Sequence, residues 1–264
     1  NGCEIVDTFE ITEPDPLTTD IAITDVICNK DTNGTATVNV SGGTPGFSYS
    51  WNTNPVQITA TATALFAGTF ICTITDTNNC QATVPVIITQ PAPITAQITN
   101  QNNVSCNGLS DGGFTITAIG GTPNYQFRLN NGIYTASAPS SFTFTGLPAG
   151  QHTIDVRDNN NCEILSIITV TITEPNALTA TANITPVACY GDSNGAITIT
   201  AIGGTPQFIY NLTGPNYGSS QINNPFFTAL KAGTYTCAIT DGRNCEHLAH
   251  ATITEPSLLT LTTN

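Results

Sequence analysis

Apolar side chains recur at every second position in short runs, and the same runs come back three times along the chain. Phe47, Tyr49 and Trp51 alternate with Ser48 and Ser50, and Tyr125, Phe127 and Leu129 alternate with Gln126 and Arg128. Phe208, Tyr210 and Leu212 form the third set. A period of two marks a strand with one buried face and one wet face. The run before each set alternates as well: Ala36, Val38, Val40; then Phe114, Ile116, Ala118; then Ala196, Ile197, Ile199, the last with a shift of frame. Gly, Pro, Asn and Asp mark turns at a spacing of roughly 8–12 residues, and no helical stripe of useful length intervenes. The pattern predicts about seven short strands per copy, folded as a two-sheet sandwich.

Punctuation repeats with the strands. Gly42-Gly43-Thr44-Pro45 returns as Gly120-Gly121-Thr122-Pro123 and Gly203-Gly204-Thr205-Pro206. A closing block, Thr12-Glu13-Pro14, returns as Thr89-Gln90-Pro91, Thr173-Glu174-Pro175 and Thr254-Glu255-Pro256. The closing prolines lie about 80 residues apart, too far for a solenoid repeat and right for a small domain. The expected organisation is the end of one repeat at 1–13, three repeats at 14–91, 92–175 and 176–256, and the start of another at 257–264. The parent chain is thus expected to be longer on both sides. Junction prolines leave little slack and stiffen each link, so the expected product is a semi-rigid, elongated rod.

Later in each copy comes a leucine, a small turn and a ring: Leu65-x-Ala67-Gly68-Thr69-Phe70, Leu147-x-Ala149-Gly150-Gln151-His152 and Leu230-x-Ala232-Gly233-Thr234-Tyr235. The strand after it ends at Asp76, Asp158 or Asp241. This block has the form of the tyrosine corner of immunoglobulin-like sandwiches, in which a Tyr hydroxyl returns to an upstream backbone group. Phe70 lacks the hydroxyl and His152 has the wrong shape, so the bond is expected at Tyr235 alone. The fold class is all-β: tandem immunoglobulin-like antiparallel sandwiches.

Composition removes several functions. Charged residues make up 9% of the chain and hydrophobic residues 39%, the reverse of a disordered linker. The net charge is −13, and Lys30, Arg128, Arg157, Lys231 and Arg243 are too few and scattered to neutralise a phosphate backbone or an anionic membrane. Nucleic acid is therefore not an expected partner. No apolar run approaches the roughly 18–20 residues of a helical membrane span, so no direct insertion is expected. No nucleophile elbow, phosphate-cradling glycine loop or paired-carboxylate motif is present, and the chain reads as a non-enzyme.

Nine cysteines sort by repeat. Cys28, Cys106 and Cys189 precede the first turn of each copy, and Cys80, Cys162 and Cys245 follow the last turn. Cys3 matches the second kind. Cys72 and Cys237 stand where the middle copy has Ile154, which leaves the middle copy only Cys106 and Cys162 to pair within itself. By analogy the expected bonds are Cys28–Cys80, Cys106–Cys162 and Cys189–Cys245, with Cys72 and Cys237 as small buried hydrophobes. A competing arrangement bonds Cys28 to Cys72 and leaves Cys80 free. Disulfides throughout imply an oxidising compartment and hence export.

Taken in order, Cys-x-Gly/Asn, Asp-x-x-Gly, Gly-Gly-Thr-Pro-x-aromatic, Leu-x-Ala-Gly-x-aromatic, Asp-x-x-x-Cys and Ile-Thr-x-Pro closely resemble the SprB repeat, through all three copies. Such repeats occur in very long surface adhesins of gliding Bacteroidota. The resemblance implies type IX secretion, anchoring at the outer cell surface, and partnership with motility or anchoring proteins there. The function it implies is a stalk that transmits tension in surface attachment and gliding.

Other chemistry has weaker footing. His247 and His250 lie three apart on a strand and face opposite ways. The acidic turns Asp31-Thr32-Asn33-Gly34 and Asp192-Ser193-Asn194-Gly195 could offer oxygen ligands to Ca²⁺ beside Glu13 or Glu174, although tight turns select these residues anyway. Otherwise no cofactor is expected. Loop aromatics such as Tyr134 and Tyr217 offer an alternative role in binding polysaccharide, and a spacer in a large secreted enzyme or other surface protein is a further one.

Overall fold

A computed structural model describes residues 2–215 and 217–261 of the chain. Among the described residues there are nineteen strands and no helix. They fall into two compact units: one holds the residues up to Ala96 with Ala118–Ser140 and Asp155–Ile167, the other Gln97–Thr117, Ser141–Ile154 and the residues from Ile168 on.

The first copy has six strands: β1 (Thr18–Thr24), β2 (Gly34–Ser41), β3 (Ser48–Trp51), β4 (Thr61–Leu65), β5 (Gly68–Thr75) and β6 (Gln81–Ile88). They form two antiparallel sheets, ordered β1-β2-β4 and β3-β5-β6. Lettered as in an immunoglobulin domain with its D strand left out, these are ABE and CFG, so strand order alone assigns the fold. One core joins both sheets: Ala36 and Val38 of β2 with Trp51 of β3, Leu65 of β4, Cys72 and Ile74 of β5, and Val86 and Ile88 of β6. Trp51 is fully buried, and its indole N–H donates to the Thr59 carbonyl at 2.9 Å. A buried Trp on strand C is the expected anchor of such a sandwich.

The second copy repeats the scheme with β7 (Thr95–Asn102), β8 (Gly112–Ile119), β9 (Gln126–Leu129), β10 (Ser141–Leu147), β11 (Gly150–Arg157) and β12 (Ile168–Ile172). Its sheets are ordered β10-β8-β7 and β12-β11-β9. The third copy comprises β13 (Thr179–Thr185), β14 (Gly195–Ile202), β15 (Ile209–Gly214), β16 (Tyr217–Ile222), β17 (Phe226–Leu230), β18 (Gly233–Thr240) and β19 (Glu246–Ile253). It keeps the three-stranded sheet β13-β14-β17 and widens the other to β16-β15-β18-β19. The expected seven strands are therefore found in the third copy, and six in each of the others.

The frame shift read at Ala196 is corrected by the structure. Gly195, Ile197 and Ile199 face inward, and Ala196 faces out. The inward slot before Ile197 belongs to a glycine because there is no room for more. A Cβ on Gly34 would stand 2.9 Å from both Leu65 O and Ile88 Cγ2, and one on Gly195 would stand 2.9 Å from Leu230 O.

In the first copy the β1–β2 turn lies beside the end of β6: Val26 N–H donates to Thr89 O at 3.0 Å, and Lys30 N–H to Gln90 Oε1 at 2.8 Å. The β5–β6 turn lies at the start of the same strand. Eight residues of strand separate the two turns, about 26 Å at a rise of about 3.3 Å per residue. The first and last cysteines of a copy therefore occupy opposite poles.

Candidate functional site: the cysteine turns

Each last-turn cysteine is presented by a turn built on one carboxylate. Asp76 accepts from Thr44 N at 3.0 Å and Cys80 N at 2.8 Å. Asp158 accepts from Thr122 N at 2.8 Å and from Asn160 N and Cys162 N at 2.9 Å. Asp241 accepts from Thr205 N at 2.7 Å, Arg243 N at 2.8 Å and Cys245 N at 2.9 Å. All three carboxylates are buried. The Thr44 amide holds Asp76 below the usual carboxylate range. Burial alone would raise Asp241, but the amides of Thr205, Cys245 and Arg243 outweigh it and lower its pKa. The Gly-Gly-Thr-Pro motif thus supplies the threonine amide that fixes the turn.

Each first-turn cysteine sits in a second kind of turn, tied to the end of its own copy. Ile27 N–H donates to Asn33 Oδ1 at 3.1 Å, Ser105 N–H to Asp111 Oδ1 at 2.9 Å, and Ala188 N–H to Asn194 Oδ1 at 2.9 Å. The closing motif reaches across: Gln90 to Lys30 N, Glu174 to Gly108 N at 2.6 Å, and Glu255 to Gly191 N at 2.8 Å. The acidic-turn residues Asn33 and Asn194, and Glu174 of the closing motif, thus satisfy backbone amides. Among the described residues no group of three or more His, Cys, Asp or Glu converges.

The bonds formed are Cys28–Cys162 and Cys106–Cys245, with Cα–Cα distances of 5.5 and 5.6 Å. This overturns the expected pairing of Cys28 with Cys80, Cys106 with Cys162 and Cys189 with Cys245. The reason is polarity: two turns at opposite poles of one sandwich cannot reach each other, since a disulfide spans Cα atoms only about 4.4–6.8 Å apart. Each bond instead links the first turn of one copy to the last turn of the next. Cys28–Cys162 lies within the first compact unit and Cys106–Cys245 within the second. Cys162 Sγ rests 3.6 Å from Ile27 O, and Cys245 Sγ rests 3.5 Å from Ser105 O, the same contact one repeat on. In the second unit Arg243 also donates to Val104 O at 3.3 Å.

The remaining cysteines divide by burial. Cys72 and Cys237 are fully buried and unbonded, and burial pushes the Cys237 thiol up to about 11. The competing Cys28–Cys72 bond is not formed. Cys3, Cys80 and Cys189 are exposed and unbonded.

The tyrosine corner forms where expected and in one place where it was not. Tyr235 Oη donates to Lys231 O at 3.0 Å. His152 Nε2 lies 3.1 Å from Pro148 O, the carbonyl at the same four-residue offset, and serves as the donor in place of the phenol. Phe70 has no donor and packs edge-on against Phe66 with centroids 5.2 Å apart.

The aromatics proposed for glycan contact are engaged within the fold. Tyr134 is half-buried between Arg128 and Arg157, 4.8 and 4.0 Å from its ring centre, with its hydroxyl on Glu163 at 3.0 Å. Arg128 is paired in turn with Asp155 at 3.0 Å. Tyr217 is on β16 and meets Tyr235 edge-on. His247 and His250 lie on opposite faces of β19, as their spacing requires, and His250 Nδ1 meets Thr236 Oγ1 at 3.1 Å.

The SprB repeat family model matches residues 21–56, 98–132 and 181–216. Three segments of this chain are SprB repeats. Each matched SprB segment contains a first-turn cysteine and the Gly-Gly-Thr-Pro motif, and stops short of the last-turn cysteine. A search of curated proteins finds no match. Among solved structures, a 1.5-MDa bacterial ice-binding adhesin is similar at 15% identity and a TM-score of 0.43, covering 93% of this chain and 98% of that one. The Ig1–Ig3 ectodomain of mouse nectin-like molecule 4 is similar at 12% identity and a TM-score of 0.33, covering 78% and 80%. A tetra-tandem repeat from the extending region of a large adhesion protein is similar at 12% identity and a TM-score of 0.28, covering 89% and 74%.

Proposed function

We propose that this chain is a stretch of the stalk of an exported, cell-surface filamentous adhesin, and that its repeats carry tension. The observation that carries the reading is a covalent bond that leaves one structural repeat and enters the next. Force arriving at Cys28 passes through sulfur to Cys162 and bypasses most of the first sandwich and much of the second. Disulfides also fit an oxidising, extracellular setting. Three copies of one scaffold suit a mechanical role better than an enzymatic one. The SprB identity supports attachment and gliding as the use of such a tether, with neighbouring repeats and outer-surface anchoring or motility proteins as its partners.

Pulling single molecules by their ends tests this. In oxidised protein no extension step should be as long as a whole repeat. In reductant, steps of about 27 nm should appear, from about 80 residues at about 3.4 Å each. Whole-repeat steps without reductant would overturn the reading.

A further inference from the structure

Cys80 and Cys189 carry the strongest unassigned chemistry in the molecule. Cys80 is a last-turn cysteine, held on Asp76 as Cys162 is held on Asp158 and Cys245 on Asp241. Cys189 is a first-turn cysteine, in a turn closed by Asn194 and Glu255 as that of Cys106 is closed by Asp111 and Glu174. Both are exposed and unbonded, while the equivalent cysteines in the other copies are bonded. The rule shared by the two bonds is that a first-turn cysteine pairs with the last-turn cysteine of the following repeat. By that rule Cys189 requires a repeat after it, and Cys80 requires a repeat before it.

We propose that Cys80 and Cys189 are the two open halves of the same inter-repeat bond, and that their partner is another repeat of this kind. The partner is a repeat continuous in the same polypeptide, which the joined chain below supplies. The array that results is interleaved. Cys28–Cys162 and Cys106–Cys245 span 134 and 139 residues, so successive loops overlap and residues 106–162 lie inside both. Cleaving one bond then leaves a second bond across much of the same stretch.

The chemistry balances with a small disulfide as oxidant. The Cys189 thiolate attacks oxidised glutathione, forms a mixed disulfide and expels one glutathione. The partner Cys80 thiolate then attacks the protein sulfur of that mixed disulfide and expels the second glutathione. Two protein thiols are oxidised, one glutathione disulfide is reduced, and the two protons end on the released thiols.

The test joins two copies in register, with Pro256 of the first followed by Asp15 of the second, folded in a reduced/oxidised glutathione mixture. Non-reducing peptide mapping should find Cys189 of the first copy bonded to Cys80 of the second. The bonds Cys28–Cys162 and Cys106–Cys245 in each copy report that the chain has folded. Iodoacetamide should label Cys80 and Cys189 in the single chain, and those two junction thiols should lose labelling in the joined chain. C80S in the second copy should restore it at Cys189. If the junction cysteines stay labelled while the internal bonds form, or if Cys189 bonds to Cys245, the proposal fails. The readout is chemical: it reports which sulfurs are joined, not how the chain bears force, and so fails separately from the stalk reading on which the pulling experiment bears.

Discussion

Asp241 shows what one residue does in this fold. Its carboxylate gathers the amides of Thr205, Arg243 and Cys245 and so sets the direction in which Cys245 presents its sulfur. Asp76 and Asp241 both hold their protons less readily when folded. Their contribution to stability is therefore complete above the ordinary Asp value of 3.8 and is lost as the pH falls below it. D241N should lower the melting temperature at pH 7 and make the acid limb of the stability profile shallower; an unchanged acid limb would contradict this. The corner residues give a second test at this scale. Y235F removes one hydrogen bond to Lys231 O and should cost about 1 kcal/mol in denaturant unfolding. The role of His152 is not legible from ring shape, because the corner needs only a donor at the right reach.

At the scale of elements, the Gly-Gly-Thr-Pro turn is a closely packed point of each repeat. Gly120 has φ +84°, and a Cβ there would stand 2.1 Å from Pro93 O. G120A should destabilise the turn by about 1–3 kcal/mol or more, measured as a fall in melting temperature; a tolerated alanine would show that the turn can move. The strands themselves were legible. Period-two alternation located β2, β3, β8, β9 and β15, and the aspartates marked where β5, β11 and β18 end. The connectivity was not legible, and the disulfide pairing depends on it. Alternation gives strands but no direction. The segment between Trp51 and Thr61 carries the chain from one sheet to the other, and β2 and β4 end up antiparallel. That crossover reverses the parity a simple meander would give, and sends Cys80 to the pole opposite Cys28. A first-turn cysteine finds its partner in the next repeat, which the cysteine count within the middle copy does not reveal.

For the whole molecule, the acidic charge of −13 keeps neighbouring chains apart in solution, while the covalent links hold successive repeats together. Each bond encloses most of the two successive repeats that it joins. The most direct measurement is a non-reducing peptide map of the folded protein by mass spectrometry. It should yield the linked peptides Cys28–Cys162 and Cys106–Cys245, with Cys80 and Cys189 recovered as thiols. Recovery of Cys28–Cys80, Cys106–Cys162 and Cys189–Cys245 would contradict the account, because each repeat would then be closed on itself.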